Sequence, residues 1–235
     1  MLALSLAVAG CRDARPAPEA RADSAGAGAT GEIGAAPSRG GPGAPAAGWL
    51  IGPTPDSDLL DGHDTEAGLR LRFGAATVKA ESIHVGEGEF ESGTVLFPDD
   101  STRRIEILWR DTVARAEPRA AIVRGAASVW RAYPGIGPGT DLRTVESFNG
   151  RAFNLSGFGW DYGGNAGDWA GGRLDTLWRD GTTLGAAVTL RFDTSHEPRE
   201  YQLVNQVSGD RVFSSSHPAM QALNPRVYEL IVGPR

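Results

Sequence analysis

The composition of this chain changes sharply at Trp49, and that change fixes where a fold can form. Every aromatic residue lies at position 49 or beyond, while residues 12–48 consist of Ala, Gly, Pro, Ser, Arg, Asp and Glu, with Thr30 and Ile33 as minor exceptions. A segment of that kind buries too little apolar surface to offset the entropy of ordering it. Its Pro and Gly spacing predicts a flexible tether. A folded domain is expected over residues 49–235. The single cysteine, Cys11, lies outside it, so no intramolecular disulfide is available and burial has to hold the fold.

Within the domain, residues 65–74 read as a short helix. Thr65 is its cap, Glu66 suits its positive end, Leu69 and Phe73 share a face, and Gly74 stops it. Residues 82–85 and 93–97 are strand-like, and 98–101 form a turn. Ile105, Ile107 and Trp109 then alternate along one strand face. A similar order returns with a capped helix at 140–150, carrying Leu142, Val145 and Phe148, and a strand at 153–158. Residues 173–180 parallel 104–111 with five of eight positions identical. That correspondence predicts a second strand there, and a tandem pair of helix-plus-strands units over 60–112 and 136–192. Alternation of Leu184, Ala186, Val188, Leu190 and Phe192 gives another strand. A hairpin is expected from 201–207 and 211–213, a helical turn at 216–218 and a closing strand at 227–232. The expected class is α+β, mainly antiparallel sheet with short helices.

The net charge is −6, which argues against a nucleic-acid partner, since such binding needs a basic face. Lys79 is the only lysine; with abundant Ala and Gly, the arginine excess reads as codon bias.

Val8-Ala9-Gly10-Cys11, at the end of an apolar run, resembles the lipobox of bacterial lipoproteins, although no Lys or Arg precedes Cys11. The resemblance implies a diacylglyceryl group on the Cys11 thiol and cleavage before it. Two or more acyl chains hold a protein stably at a bilayer. Arg12 stands where enteric lipoproteins retained in the inner membrane carry Asp, which favours the outer membrane, with the domain facing the periplasm. The stretch 150–164, which contains Phe158-Gly159-Trp160-Asp161-Tyr162-Gly163-Gly164, is similar to a motif of uncharacterised bacterial secreted proteins and lipoproteins. Residues 86–89 to 97–98 look like the first half of the same family. Together they span most of residues 60–190, and the family implies no settled activity. In element order alone, the paired units resemble the β-lactamase inhibitor protein and the small outer-membrane assembly lipoproteins.

Phe158, Trp160, Asp161 and Tyr162 are the candidate binding residues. Aromatics held between glycines make a rigid contact surface of low side-chain entropy; the same residues can instead pack Trp160 into the core, with glycines forming a bend. Glu87, Glu89 and Glu91 alternate beside His84, a pattern suited to a divalent ion, to acid–base work, or to the solvated face of an edge strand. His63, His196 and His217 show no metal-binding spacing, and Ser214 to Ser216 beside His217 lack a nucleophile elbow. No catalytic residue, metal or cofactor is assigned. The expected function is a membrane-anchored envelope lipoprotein acting as a binding, inhibitory or assembly module, with an envelope protein as partner and an exposed aromatic surface at Trp160 and Tyr162. The alternative is a cell-wall hydrolase using a pair from Asp161, Asp168 and Glu87, about 5 to 10 Å apart in a cleft; a structural spacer is a third reading.

Overall fold

The structure, a computed structural model, describes residues 49–51, 63–179, 186–191 and 198–233. The lipobox at 8–11, the tether, His196, Leu184 and Phe192 lie outside the described residues. In chain order the elements are β1 (Trp49–Ile51), α1 (Glu66–Phe73), β2 (Val78–Gly86), β3 (Glu89–Leu96), β4 (Ile105–Asp111), β5 (Ala116–Arg124), β6 (Trp130–Ala132), α2 (Leu142–Asn149), β7 (Asn154–Ser156), β8 (Asn165–Asp168), α3 (Arg173–Arg179), β9 (Ala186–Arg191), α4 (Pro198–Gln206), β10 (Val212–Ser214), α5 (Pro218–Leu223) and β11 (Arg226–Val232). The class is α+β, mainly antiparallel. β1 and β6 form a small parallel pair, and the other strands form one nine-stranded sheet ordered β10-β7-β8-β9-β11-β5-β4-β3-β2. Among the described residues no helix is long and apolar enough to cross a membrane.

The sheet has two matching halves. After α1, strands β2 to β5 run as a meander from one edge to the centre; after α2, strands β7, β8, β9 and β11 run inward from the other side, where β10 flanks β7 as the edge, and β5 meets β11 in the middle. A helix followed by strands recurs as expected, but each unit runs past the expected bounds of 112 and 192 to take in β5 and β11, and the expected alignment of 104–111 with 173–180 is overturned. The first segment is β4 and the second is helix α3. The third strand of the second meander is β9, so α3 is an insertion between its second and third strands. The apolar spacing explains the difference. Ile105, Ile107 and Trp109 are buried at a period of two, whereas Leu174 and Trp178 are buried four apart with Leu177 exposed. Helix α3 also starts on a ready-made cap, since the buried Asn149 accepts from the Leu174 amide at 3.1 Å and Asp175 accepts from Gly171 N at 2.8 Å.

The expected hairpin at 201–213 is likewise corrected. Residues 198–206 form α4, with Pro198 opening it and Glu200 in its first turn, and only β10 is a strand, paired with β7. Leu203 and Val207, four apart, pack toward the core. The other helices follow their caps as expected. Thr65 accepts from Gly68 N at 3.0 Å, Asp141 from Thr144 N at 3.0 Å, and His217 Nδ1 from Ala219 N at 3.2 Å.

One large core joins all five helices to one face of the sheet through Leu69, Leu142, Val145, Leu174, Trp178, Leu203 and Met220 on the helices and Val78, Leu96, Ile105, Ile107, Trp109, Val123 and Leu230 on the strands. Two of its indole nitrogens bond backbone carbonyls. Trp130 donates to Arg103 O and Trp178 to Tyr133 O, both at 2.7 Å. The other face holds a second, smaller cluster made by strands alone: Ile83, Leu108 and Ile122, with Val85 and Ile231 against it.

Candidate functional site

With the five helices of the described residues on one face, the opposite face of the sheet forms a floor that no described helix covers. Its apolar strip crosses β2, β4, β5 and β11 through Ile83, Leu108, Ile122 and Ile231, with Ile122 directly opposite Ile231 in the register. Ile83 lies flat over β3 because position 93 is glycine. A Cβ there would stand 2.2 Å from Ile83 Cδ1 and 2.6 Å from Ile107 O.

Beside this strip runs a ladder of opposite charges. Lys79 Nζ is 3.0 Å from Glu81, which Arg104 also meets at 3.0 Å; Arg104 meets Glu106 at 3.3 Å. Arg124 then bonds Glu106 on one side and Glu229, at 2.6 Å, on the other. Arg104 and Lys79 hold the Glu81 carboxyl below the usual carboxylate range. Arg119 closes on Glu91 at 2.9 Å.

Two corners of the sheet rise over this floor. All neighbours in the sheet are antiparallel, so the β2–β3 hairpin and the β7–β8 loop sit at opposite strand ends on opposite sides of the sheet. Twist lifts such diagonal corners toward the same face. The hairpin turns at Glu87-Gly88, both at positive φ (49° and 77°), as a tight primed turn requires. The other corner, residues 157–164, is tied down at its base. Gly157 N donates to Arg211 O at 2.7 Å, Phe158 N to Val207 O at 2.9 Å and Gly164 N to Ser156 O at 3.0 Å. A Cβ at Gly157 would lie 2.5 Å from Gly209 O, so only glycine lets the loop pass that close. The corners meet where the Tyr162 hydroxyl donates to Glu87 Oε1 at 2.6 Å. The Glu87 carboxylate, taking that proton's hydrogen bond, raises the Tyr162 pKa. Sheet and latch enclose a cavity of about 1100 Å³, lined from below by Leu108, Ile122 and Ile231 and from the sides by Trp160, Tyr162 and Tyr228.

The structure splits the predicted binding residues. The Phe158 ring enters the main core and anchors the loop, so it offers no exposed contact. Trp160 does not pack into the core. It is 37% exposed and Tyr162 46%, their rings 5.3 Å apart and steeply inclined at 67°. The Trp160 indole N–H donates to Gly157 O at 2.8 Å, which fixes its ring on the loop. Asp161 is exposed and lines the cavity with Glu87. Asp168 is not among the lining residues; it accepts from Asn154 Nδ2 at 2.7 Å.

Of Glu87, Glu89, Glu91 and His84, all but Glu89 line the cavity, each with a different role. Glu87 is in the turn, Glu89 is exposed, Glu91 pairs with Arg119, and the His84 ring meets Phe90 edge to face. Among the described residues no group of three or more His, Cys, Asp or Glu is placed to hold a metal ion. Ser215 is buried and hydrogen-bonded to Glu146, and His217 caps α5, so these build the fold locally. Cys11 lies outside the described residues.

The floor itself escaped the sequence reading. Its signal was present in the runs Ile107-Leu108-Trp109, Ala120-Ala121-Ile122-Val123 and Leu230-Ile231-Val232, where apolar residues do not alternate with polar ones. Continuous apolar runs mark strands shielded on both faces. Comparison of the chain with family models, with curated proteins and with solved structures gave no match, so the reading of this groove rests on its own geometry.

Proposed function

We propose that this protein is a lipid-anchored envelope lipoprotein whose domain is a non-catalytic binding module, with the open sheet face as its binding groove. The observation that carries the reading is the groove itself, an apolar floor with exposed aromatics at its walls on a face that no helix covers among the described residues. Rigid aromatics such as Trp160 and Tyr162 give much contact area for little lost side-chain entropy, which suits recognition. The anchor is supported by Val8-Ala9-Gly10-Cys11 and by the composition of residues 12–48, which suits a spacer between lipid and domain.

Photo-crosslinking side chains installed at Trp160 and Tyr228, and at Leu71 on α1 as a control, test the binding role in the native envelope. Leu71 is 90% exposed and belongs to the helix layer. A discrete adduct from the groove positions and none from position 71 is expected; equal labelling, or none from the groove, overturns the role. Mass spectrometry of the native protein should find acyl chains on Cys11, and Cys11→Ser should release the protein from the membrane fraction.

A further inference from the structure

We infer that the groove takes an extended segment of a partner protein that alternates apolar and basic side chains, one basic head seating against Trp160 and Tyr162 beside Asp161 and Glu87. This rests on the binding role proposed above and names the partner's chemistry. Charge gives the first argument. Of the carboxylates lining the groove, Glu91 is matched by Arg119 and Glu229 by Arg124. Glu87 and Asp161 have no cation within ion-pair distance among the described residues, so the uncompensated charge is negative and sits at one corner. At that corner two aromatic rings stand at 67° to each other, each partly exposed. A ring face attracts a cationic head, and a second ring at a steep angle adds a second wall.

Shape gives the second argument. A lone cation has no use for a floor of Leu108, Ile122 and Ile231, and about 1100 Å³ leaves room for far more than one cationic head. An extended segment presents every second side chain to the same side, so it can set apolar groups on the floor and basic ones toward the carboxylates. The floor strands β4, β5 and β11 already have neighbours on both sides. The segment therefore lies across the face and is read through its side chains, rather than joining the sheet as an extra strand. The Tyr162–Glu87 bond can open to admit the basic head at that corner. Glycines flank both tips, Gly86 and Gly88 on one and Gly159 and Gly163 on the other, so the latch can part while the sheet stays paired. A basic head arriving at Glu87 competes for the oxygen that Tyr162 now occupies.

The test is calorimetric titration of the full-length protein with three blocked heptapeptides. One alternates valine with arginine and lysine, the second replaces the basic residues with glutamate, and the third replaces them with serine. The basic peptide should bind at least about tenfold more tightly than either of the others, a ratio within reach of cation–π contacts added to two carboxylates. Trp160→Ala, and the pair Glu87→Gln with Asp161→Asn, should each weaken it by about five- to tenfold, while Tyr162→Phe, which frees Glu87, should tighten it. Thermal melts of these exposed-site variants should match the parent, separating lost contact from lost fold. Equal affinity for the three peptides, no binding of the basic one, or an unchanged affinity in Trp160→Ala would overturn the proposal. Groove crosslinks in the envelope, with the basic peptide ignored, would overturn this chemistry and leave the binding role standing.

Discussion

Replacing Thr94 with valine keeps the shape of a buried residue and deletes one hydroxyl, and the structure sets what that costs. The Thr94 hydroxyl donates to Glu66 Oε2 at 2.6 Å and accepts from Trp109 Nε1 at 2.9 Å, joining α1 to two neighbouring strands. Trp109 is 1% exposed, so in Thr94→Val its N–H is stranded away from water. A buried group that loses its partner costs about 1–3 kcal/mol. Glu66 keeps its bonds to Arg70 at 3.0 Å and Arg115 at 3.0 Å, so its share falls at the low end. The sum is about 2–4 kcal/mol, which for a domain of this size lowers Tm by roughly 5–12 °C. Thr94→Ser keeps the hydroxyl and loses a methyl, which costs about 1 kcal/mol. Urea denaturation and calorimetric melts of both variants decide the matter. A Thr94→Val protein as stable as Thr94→Ser would refute the claim that this hydroxyl staples helix to sheet.

Three further outcomes are expected. Burial pushes the Glu66 carboxyl up, but bonds from Thr94 and Arg70 and the charge of Arg115 outweigh it and hold it below the usual range; at Asp141 burial is likewise outweighed, by the Thr144 bonds. Both groups therefore contribute stability that is present above the unfolded-state carboxylate range and lost as pH falls through their lowered values. Denaturation midpoints should decline on acidification, less steeply in Thr94→Val; a flat profile contradicts this. Gly93→Ala drives a methyl into Ile83 and Ile107 O and should cost about 1–3 kcal/mol by chemical denaturation, with displaced Ile83 methyl signals in NMR. Tyr162→Phe removes the latch on an exposed side chain, so Tm should stay put while amide exchange quickens at residues 86–88 and 159–164; unchanged exchange would mean the bond does not hold the corners together.

What the sequence made legible depended on how local the cause was. Helices α1 and α2 announce themselves through Thr65, Asp141, Gly74 and Gly150, whose capping bonds span three or four residues. Strand β4 is visible because Ile105, Ile107 and Trp109 alternate. Segment 173–180 misleads because its likeness to 104–111 lies in residue identity, while its cap comes from Asn149, 25 residues back. Residues 201–207 contain strand-favouring types, and tertiary packing of Leu203 and Val207 four apart overrides that preference. For the site, the aromatic loop was legible as a cluster, but the division between a buried Phe158 and an exposed Trp160 depends on contacts with Val207, Gly209 and Arg211. The partnership of Tyr162 with Glu87, 75 positions apart, arises from sheet twist and leaves no local trace.

The meeting of β5 with β11 at the middle of the sheet has a consequence for biogenesis. The seam that joins the halves runs through residues 121–124 and 229–232, so the strand completing it is the last one in the described chain. Until Arg226–Val232 has been delivered, β5 and β9 each present a bare hydrogen-bonding edge, and the two meanders have no strand to share. Until that strand emerges such a chain remains open to unfolding and to chaperones that guard nascent edges, and the seam then locks shut in a single step.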